Sequence, residues 1–329
     1  MTTEIEVETC AECGFDSRHY THDDVMGTLR AIVPWYGLLT EDVDDGLLHA
    51  RPAPDTWSAI EYGEHMTDVL GLHAFGLQWM LDDDAPQFPA IDVQPLSEVV
   101  STTPLAEVLA GLTAATATMQ QTAKQLKGDA RERTGRLAEG ETITTGWLER
   151  HSVHDMVHHL HDIGRNLIAL GVGPPPARGT VEQVSESSGG VPKHAVADAE
   201  VGVRGVVGDR QASRVHHGRA WQALCLFSAD AIERLQAEGH PIGFGAAGEN
   251  FTLRGLDWEA LRPGVQLRVG EVLCEVTVPA LPCAKNAQWF ADGDFMRMHH
   301  VEHRGETRWY ARVLEGGRVR TGDAVVLQP

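Results

Sequence analysis

The stretch GVGPPPARGTVEQVSESSGG, residues 171–190, constrains this chain more than any other. Proline fixes φ and has no N–H to donate, so three in a row end any helix that reaches them. The Ser, Glu and Gly that follow are linker chemistry. Before this stretch the apolar residues recur with a helical period. After it they alternate and are punctuated by glycine, as in strands. A length of 329 residues also exceeds the usual reach of one core. The reading is a two-domain α + β chain: a helical domain over 1–172, a linker over 173–190 and a mostly-β domain over 191–329.

Four helices are predicted in the first half. The first is HDDVMGTLRAIVPWYGLL, about 22–38, interrupted by Pro34. The second opens at DTWSAIEYGEHM, with Asp55 or Thr56 as its cap, and runs to about Met80. The third is TTPLAEVLAGLTAATATMQQTAKQL, with Pro104 placed for a first helical turn. The fourth runs from about Trp147 to Leu170, after GETITTG, a short turn or strand pair. Four helices of this length suggest a four-helix bundle. In the second half EVGVRGVVGD, VQLRVGEVLCEVTVPAL and TRWYARVLEGGRVRTGDAVVL read as strands, and SADAIERLQAEG, 228–239, as one helix.

The formal net charge of −20 argues against a nucleic-acid surface, which needs clustered Lys and Arg. No apolar run is long enough to span a membrane, and the acidic start MTTEIEVETCAECGFD has no h-region, so a cytoplasmic location is expected. The five cysteines are an odd number and do not read as a disulfide framework. Lysine is scarce beside arginine, and Ala and Gly are frequent, a balance typical of GC-rich bacterial genomes.

Residues 151–165 read HSVHDMVHHLHDIGR, with five histidines. Positions i and i+4 lie about 40° apart on a helix, so His154 and His158 stack on one face and offer two imidazoles to one metal ion. A third ligand must come from elsewhere, and His65 lies in the second helix. Three histidines with an open position are a catalytic pattern for zinc and similar metals. The competing reading is a solvated face. His161 is a rival third ligand, and His151 and His159 read as bystanders.

TWSAIEYGEHM followed much later by VHDMVHHLHDIGR resembles the DinB-like four-helix family over about residues 10–172. The resemblance implies a divalent metal (Zn, or Ni, Fe or Mn) on His65, His154 and His158. It also implies transfer chemistry with a low-molecular-weight thiol, mycothiol in actinobacteria, and a small-molecule substrate. A metal-bound thiol ionises near neutral pH and becomes a nucleophile. CAECGFD carries Cys10 and Cys13, half of a zinc knuckle or a redox pair. No second CxxC follows. Structural zinc completed by His19 or His22 is one alternative, and a bland or purely structural role is preferred.

VPALPCAKNAQWF places Cys283 just after a strand and near Lys285, a cation that favours thiolate. Cys225 and Cys274 read as core. VVGDRQASRVHHGR, GAAGENFTLRGLD, PALPCAKN and WYARVLEGGRVRTGD, in that order, resemble a MOSC domain, a barrel-like β module, over about 190–329. The resemblance implies that Cys283 carries sulfur as a persulfide or ligates molybdenum. Arg210, His216, His217, Glu249, Asn250, Lys285 and Asn286 match the motif positions around the pocket. Arg210 and Lys285 suit an anion such as a pterin phosphate. Three functions are expected to compete: a metal-dependent thiol or sulfur transferase, a molybdenum-cofactor oxidoreductase acting on N-oxygenated compounds, and a non-catalytic metal or cofactor carrier.

Overall fold

Thr21 and Ser58 start the helices on which the first half is built. A computed structural model describes residues 7–90, 97–212 and 217–328, and the chain divides into two units, 1–170 and 171–329. Thr21 caps α1, His22–Thr40, and the Asp24 carboxylate accepts back from the Thr21 N–H, a capping box. A short α2, Asp45–His49, precedes α3, Ala59–Asp82. The cap of α3 is Ser58 rather than Asp55 or Thr56. Its hydroxyl accepts from Glu61 N, Glu61 accepts from Ser58 N, and Asp55 and Thr56 are left in the turn before it.

Helix α4, Leu105–Ala123, has Pro104 at its N-cap position, just outside the first turn. The strand pair β1, Thr134–Arg136, and β2, Thr142–Thr144, leads into α5, Thr145–Ala169. Among these helices, α3 packs on α4 and α5, and α1 packs on the same two, which closes a four-helix bundle with α2 outside it. Its core includes Leu29, Ile32, Trp35 and Tyr36 from α1, Met66, Leu70 and Leu77 from α3, Leu112 and Met119 from α4, and Val153, Met156, Leu160 and Ile163 from α5.

The stretch expected as linker, 173–190, is largely strand. β3 spans Ala177–Glu186, and the residues up to Pro176 and those of 187–190 are irregular. The run TVEQV does not alternate strictly, but a register shift between Val181 and Gln183 lets both Val181 and Val184 be buried in the second unit. Then come β4, His194–Val196, β5, Asp198–Gly202, β6, Gly205–Val206, β7, Leu224–Ser228, α6, Ala229–Ala237, and β8, Phe251–Arg254. These are followed by β9, Gln266–Val269, β10, Val272–Ala280, β11, Arg308–Glu315, β12, Gly317–Arg320, and β13, Ala324–Gln328.

The pairing order is β13-β9-β10-β11-β7-β8-β3, and β13 returns to β3, so seven strands close a barrel. β4 extends β3, and β12, β5 and β6 form a separate small sheet. Only β7 and β8 pair in parallel among the barrel's described strands, with α6 in the connection between them. Leu226, Phe251, Leu267, Val276, Trp309 and Val325 fill the core. Glu275 and Arg312 face each other across β10 and β11 and form a buried bidentate pair at 2.9 and 3.1 Å. No helix among the described residues is long and apolar enough to cross a membrane.

Gly63 on α3 is crowded by side chains of both α1 and α4. A Cβ there would run into the Tyr36 hydroxyl and Val108 Cγ1. Tyr36 is also tied to Ala59 O at 3.0 Å and has little freedom to yield. We expect Gly63→Ala to destabilise the bundle by about 1–3 kcal/mol as overpacking, read as a lower urea midpoint of helical circular dichroism.

Candidate metal centre

Helices α3 and α5 each bring a ladder of titratable side chains into their shared seam. His151, Asp155 and His159 follow one another at i, i+4 and i+8 on α5, and His65 and His73 lie on α3. The Nε2 atoms of His151 and His73 approach the same oxygen, Asp155 Oδ2, at 3.5 and 3.9 Å. Their ring centroids are 5.3 Å apart. One donor atom from each of His73, His151 and Asp155 lies within 4.8 Å of the others. Two imidazoles and a carboxylate make a three-ligand site of the kind that leaves positions open for water or substrate.

The electrostatics suit a cation. Burial pushes the His73 pKa down to about 4, so its imidazole is neutral, the form that ligates. Burial also pulls on His151, but Glu8 and Asp155 outweigh it and the net shift is upward. Glu8 Oε1 lies 2.9 Å from His151 Nδ1. That contact fixes the ring and turns Nε2 toward Asp155, the usual part of an outer-shell carboxylate. Burial opposes ionisation of Glu8, yet its hydrogen bonds to His151 and His154 bring its pKa down to about 2.

The predicted trio of His65, His154 and His158 is not brought together. One position along a helix is about 100° of azimuth, so His154 and His158 face the N-terminal segment while Asp155 and His159 face α3. His65 lies against Trp57 at 4.5 Å and His159 at 5.0 Å between ring centroids, and Tyr62 packs on His159 at 5.3 Å. Burial, then the neighbouring His159, lowers the His65 pKa. His151 and His159, read as bystanders, belong to the seam. His161 is buried edge-on against Trp35, 5.1 Å between centroids. His154 and His158 instead meet Cys10 and Cys13. His22 pairs with Glu149 and His19 with Asp16, so neither completes a cysteine site. No local signal in the sequence marks His73, because its partners lie on α5, where Asp155 stands between the two histidines of the ladder.

In the second unit Cys283 is exposed at the end of the β10 connection, and Lys285 is exposed beside it. Asn286 is buried, as are Glu249 and Asn250. Glu249 accepts from Gly245 N at 2.6 Å and Thr252 Oγ1 at 3.2 Å, and burial raises its pKa. Asn250 accepts from Cys225 N at 3.1 Å and donates to Asp209 at 3.1 Å, and Asp209 is ion-paired with Lys193. Those matched positions therefore tie the loop before β8 to β7 and to the start of the unit. Arg210 is exposed, with its backbone N–H on Ser187 O at 2.9 Å. His217 Nδ1 lies 2.6 Å from the Tyr310 hydroxyl, and His216 lies outside the described residues.

Burial raises the Tyr310 pKa, with Cys225 and Cys283 adding to the effect. Arg308, which the sequence reading missed, donates to Ala247 O at 2.6 Å and to Leu281 O at 3.2 Å, so it holds the segment that carries Cys283. Its Nε is buried without a hydrogen-bond partner. Cys225 and Cys274 are buried, and burial raises their pKa values to about 11 and about 12, as expected of core thiols. Among the described residues, Cys283 joins no cluster able to hold a metal by itself. It offers a single sulfur, which fits a bound group that supplies its other ligands, or a persulfide.

Residues 38–186 match the DinB superfamily, and residues 213–326 match the MOSC domain. Each half of the chain thus matches a different family model. A curated relative, the uncharacterized protein YflK of Bacillus subtilis, is 35% identical over 116 residues, which is 35% of this chain and 52% of YflK. The chain thus spans about half the length of that relative. Among solved structures, YiiM from Geobacillus stearothermophilus is similar at 23% identity, covering 47% of this chain and 76% of YiiM, with a TM-score of 0.36. YfiT from Bacillus subtilis, described as a probable metal-dependent hydrolase with an unusual four-helix bundle topology, is similar at 18% identity. That match covers 44% of this chain and 86% of YfiT, with a TM-score of 0.37. Together the two families support a function tied to a metal or cofactor.

Replacing the Glu8 carboxylate isolates its effect on the seam. In the metal-free chain we expect Glu8→Gln to lower the His151 pKa toward or below the ordinary value of 6.5, measured by NMR titration of the ring protons. An unchanged value would mean that Asp155 alone holds the proton.

Proposed function

We propose that this chain is a metal-dependent enzyme of thiol or sulfur transfer, with the α3–α5 seam as its metal centre and Cys283 as a sulfur carrier. The observation that carries the metal reading is the convergence of His73, His151 and Asp155 on one point. A divalent metal held there would lower the pKa of a coordinated thiol or water. Asp155 supplies negative charge, His73 is kept neutral by burial, and Glu8 sets the orientation of His151. His65 has a lowered pKa and lies along the same seam, so at neutral pH it is a free base able to take the proton of an incoming thiol. Trp57 and Tyr62 beside it give the seam an apolar wall for the body of a low-molecular-weight thiol such as mycothiol.

The match of residues 213–326 to the MOSC domain and the exposure of Cys283 support the sulfur-carrying step. The Cys283 thiolate attacks the outer sulfur of a persulfide RSSH. The S–S bond of the donor breaks, a new S–S bond forms on Cys283, and RS⁻ leaves. The sulfur moves as a neutral atom, so no further oxidant is consumed.

Activity and elemental analysis of the full chain test both parts. We expect Asp155→Asn and His73→Ala to lower metal-dependent thiol transfer by about a hundredfold or more, beyond what loss of an outer-shell partner does. Unchanged kcat/KM in both would overturn the seam as the metal centre. Incubation with a low-molecular-weight persulfide should leave Cys283 one sulfur atom heavier by mass spectrometry, and sulfur transfer that survives Cys283→Ala would remove the carrier role. Stoichiometric molybdenum in protein from a cofactor-competent host, with turnover of N-oxygenated compounds, would replace this reading with an oxidoreductase.

A further inference from the structure

The CxxC motif ahead of α1 finds its partners on α5. One donor atom from each of Cys10, Cys13, His154 and His158 lies within 4.8 Å of the others. The loop that carries the cysteines is shaped for this. Cys10 N donates to Phe15 O at 2.9 Å and Gly14 N donates to Cys10 O at 3.0 Å. Gly14 takes a φ of 73°, which a side chain would resist. Thr9 and Asp16 bridge the base of the turn. The result is a closed knuckle with both sulfurs on the side of α5.

The histidines are prepared from behind. His154 Nδ1 is held by Glu8 Oε1 at 2.5 Å, and its ring stacks on Phe15 with centroids 4.5 Å apart and planes within 9° of parallel. That fixes the ring and leaves Nε2 buried with no hydrogen-bond partner. A buried polar atom left this way is costly unless something else meets it. His158 Nδ1 lies 3.6 Å from Cys10 Sγ. Around a tetrahedral zinc ion with bonds of about 2.0–2.3 Å, ligand atoms sit about 3.3–3.8 Å apart. The separation of 3.6 Å falls within that span.

We propose that Cys10, Cys13, His154 and His158 form a closed zinc site that pins the N-terminal segment to α5. Two thiolates select a soft or borderline cation over Mg²⁺ or Ca²⁺ and neutralise its charge. Four protein ligands fill a tetrahedron and leave no position for substrate, so this site is structural. The seam differs in kind, with oxygen and nitrogen donors only and open positions. Glu8 touches both, through His154 here and His151 there. The zinc site is therefore also a positioning device for the seam. The proposal stands whether or not the seam is catalytic.

Cobalt(II) reports the ligand set directly. The full chain loaded with Co(II) should show thiolate-to-cobalt charge transfer and the intense visible bands of tetrahedral cobalt. Asp155→Asn should keep both signals, and the double variant Cys10→Ser/Cys13→Ser should lose the charge transfer. Charge transfer that is absent from the unaltered chain, or that persists in the double variant, would overturn the proposal. Because the double variant could fail to fold, the unaltered chain is also alkylated with and without Zn²⁺ and its peptides weighed. Zinc should slow modification of Cys10 at least tenfold, raise the Tm and leave the rate at Cys283 alone. Equal rates at Cys10 with and without zinc would reject the site independently of any variant. Loss of thiol transfer in Asp155→Asn with the cobalt spectrum intact would separate failure of the seam from failure of this site.

Discussion

A buried imidazole needs partners for both ring nitrogens, and α5 carries five imidazoles. The rest of the first unit is arranged around that requirement. α3 answers His151 and His159 with His73 and His65, and Asp155 of α5 itself is shared between His151 and His73. The N-terminal segment answers His154 and His158 with Cys10, Cys13 and Glu8. α1 answers His161 with the edge of Trp35. Glu8 is the carboxylate that spans two of these faces. A helix this polar is stable here because each face has its own chemistry, while Val153, Met156, Leu160 and Ile163 keep an apolar stripe for the bundle core.

The second unit solves a different problem. Its barrel closes on itself, so its polar groups must be satisfied from within. The buried Glu275–Arg312 pair does this across two strands, and the chain from Lys193 through Asp209 and Asn250 does it at one end. Arg308 spends its guanidinium on backbone carbonyls and so holds the segment that carries Cys283. The exposed thiol thus sits on a restrained loop, while Cys225 and Cys274 are held inert by burial.

Much of this was legible in the sequence, because periodicity is a local property. The four long helices, the strand-rich half and both family resemblances follow from patterns within short windows. The cap of α3 was placed two or three residues early because Asp55 and Thr56 are as good at capping as Ser58, and only Glu61 decides between them. β3 was hidden because its outward residues are polar, so TVEQV reads as linker until Val181 and Val184 find a core. The site was harder. The i, i+4 rule holds on α5, but the HxxxH pair lies on the face one residue away from Asp155 and His159. Cys10 and His158 are 148 positions apart, and no local signal joins them. Arg308 and Tyr310 reach the Cys283 region through strand register, which composition does not report.

The closure of the barrel has a kinetic consequence. β13 pairs with β9 on one side and with β3 on the other, so residues 324–328 complete a ring begun at residue 177. Contacts of such long sequence separation form late, because the loop entropy must be spent before the pairing rewards it. During synthesis residues 1–170 can emerge and settle as a bundle. The strands of the barrel must wait, with the edges of β3 and β9 open, until their closing partner leaves the ribosome. A chain cut short before residue 324 would keep its helices and expose two unpaired β edges. Its failure would therefore be aggregation of one half rather than unfolding of the whole.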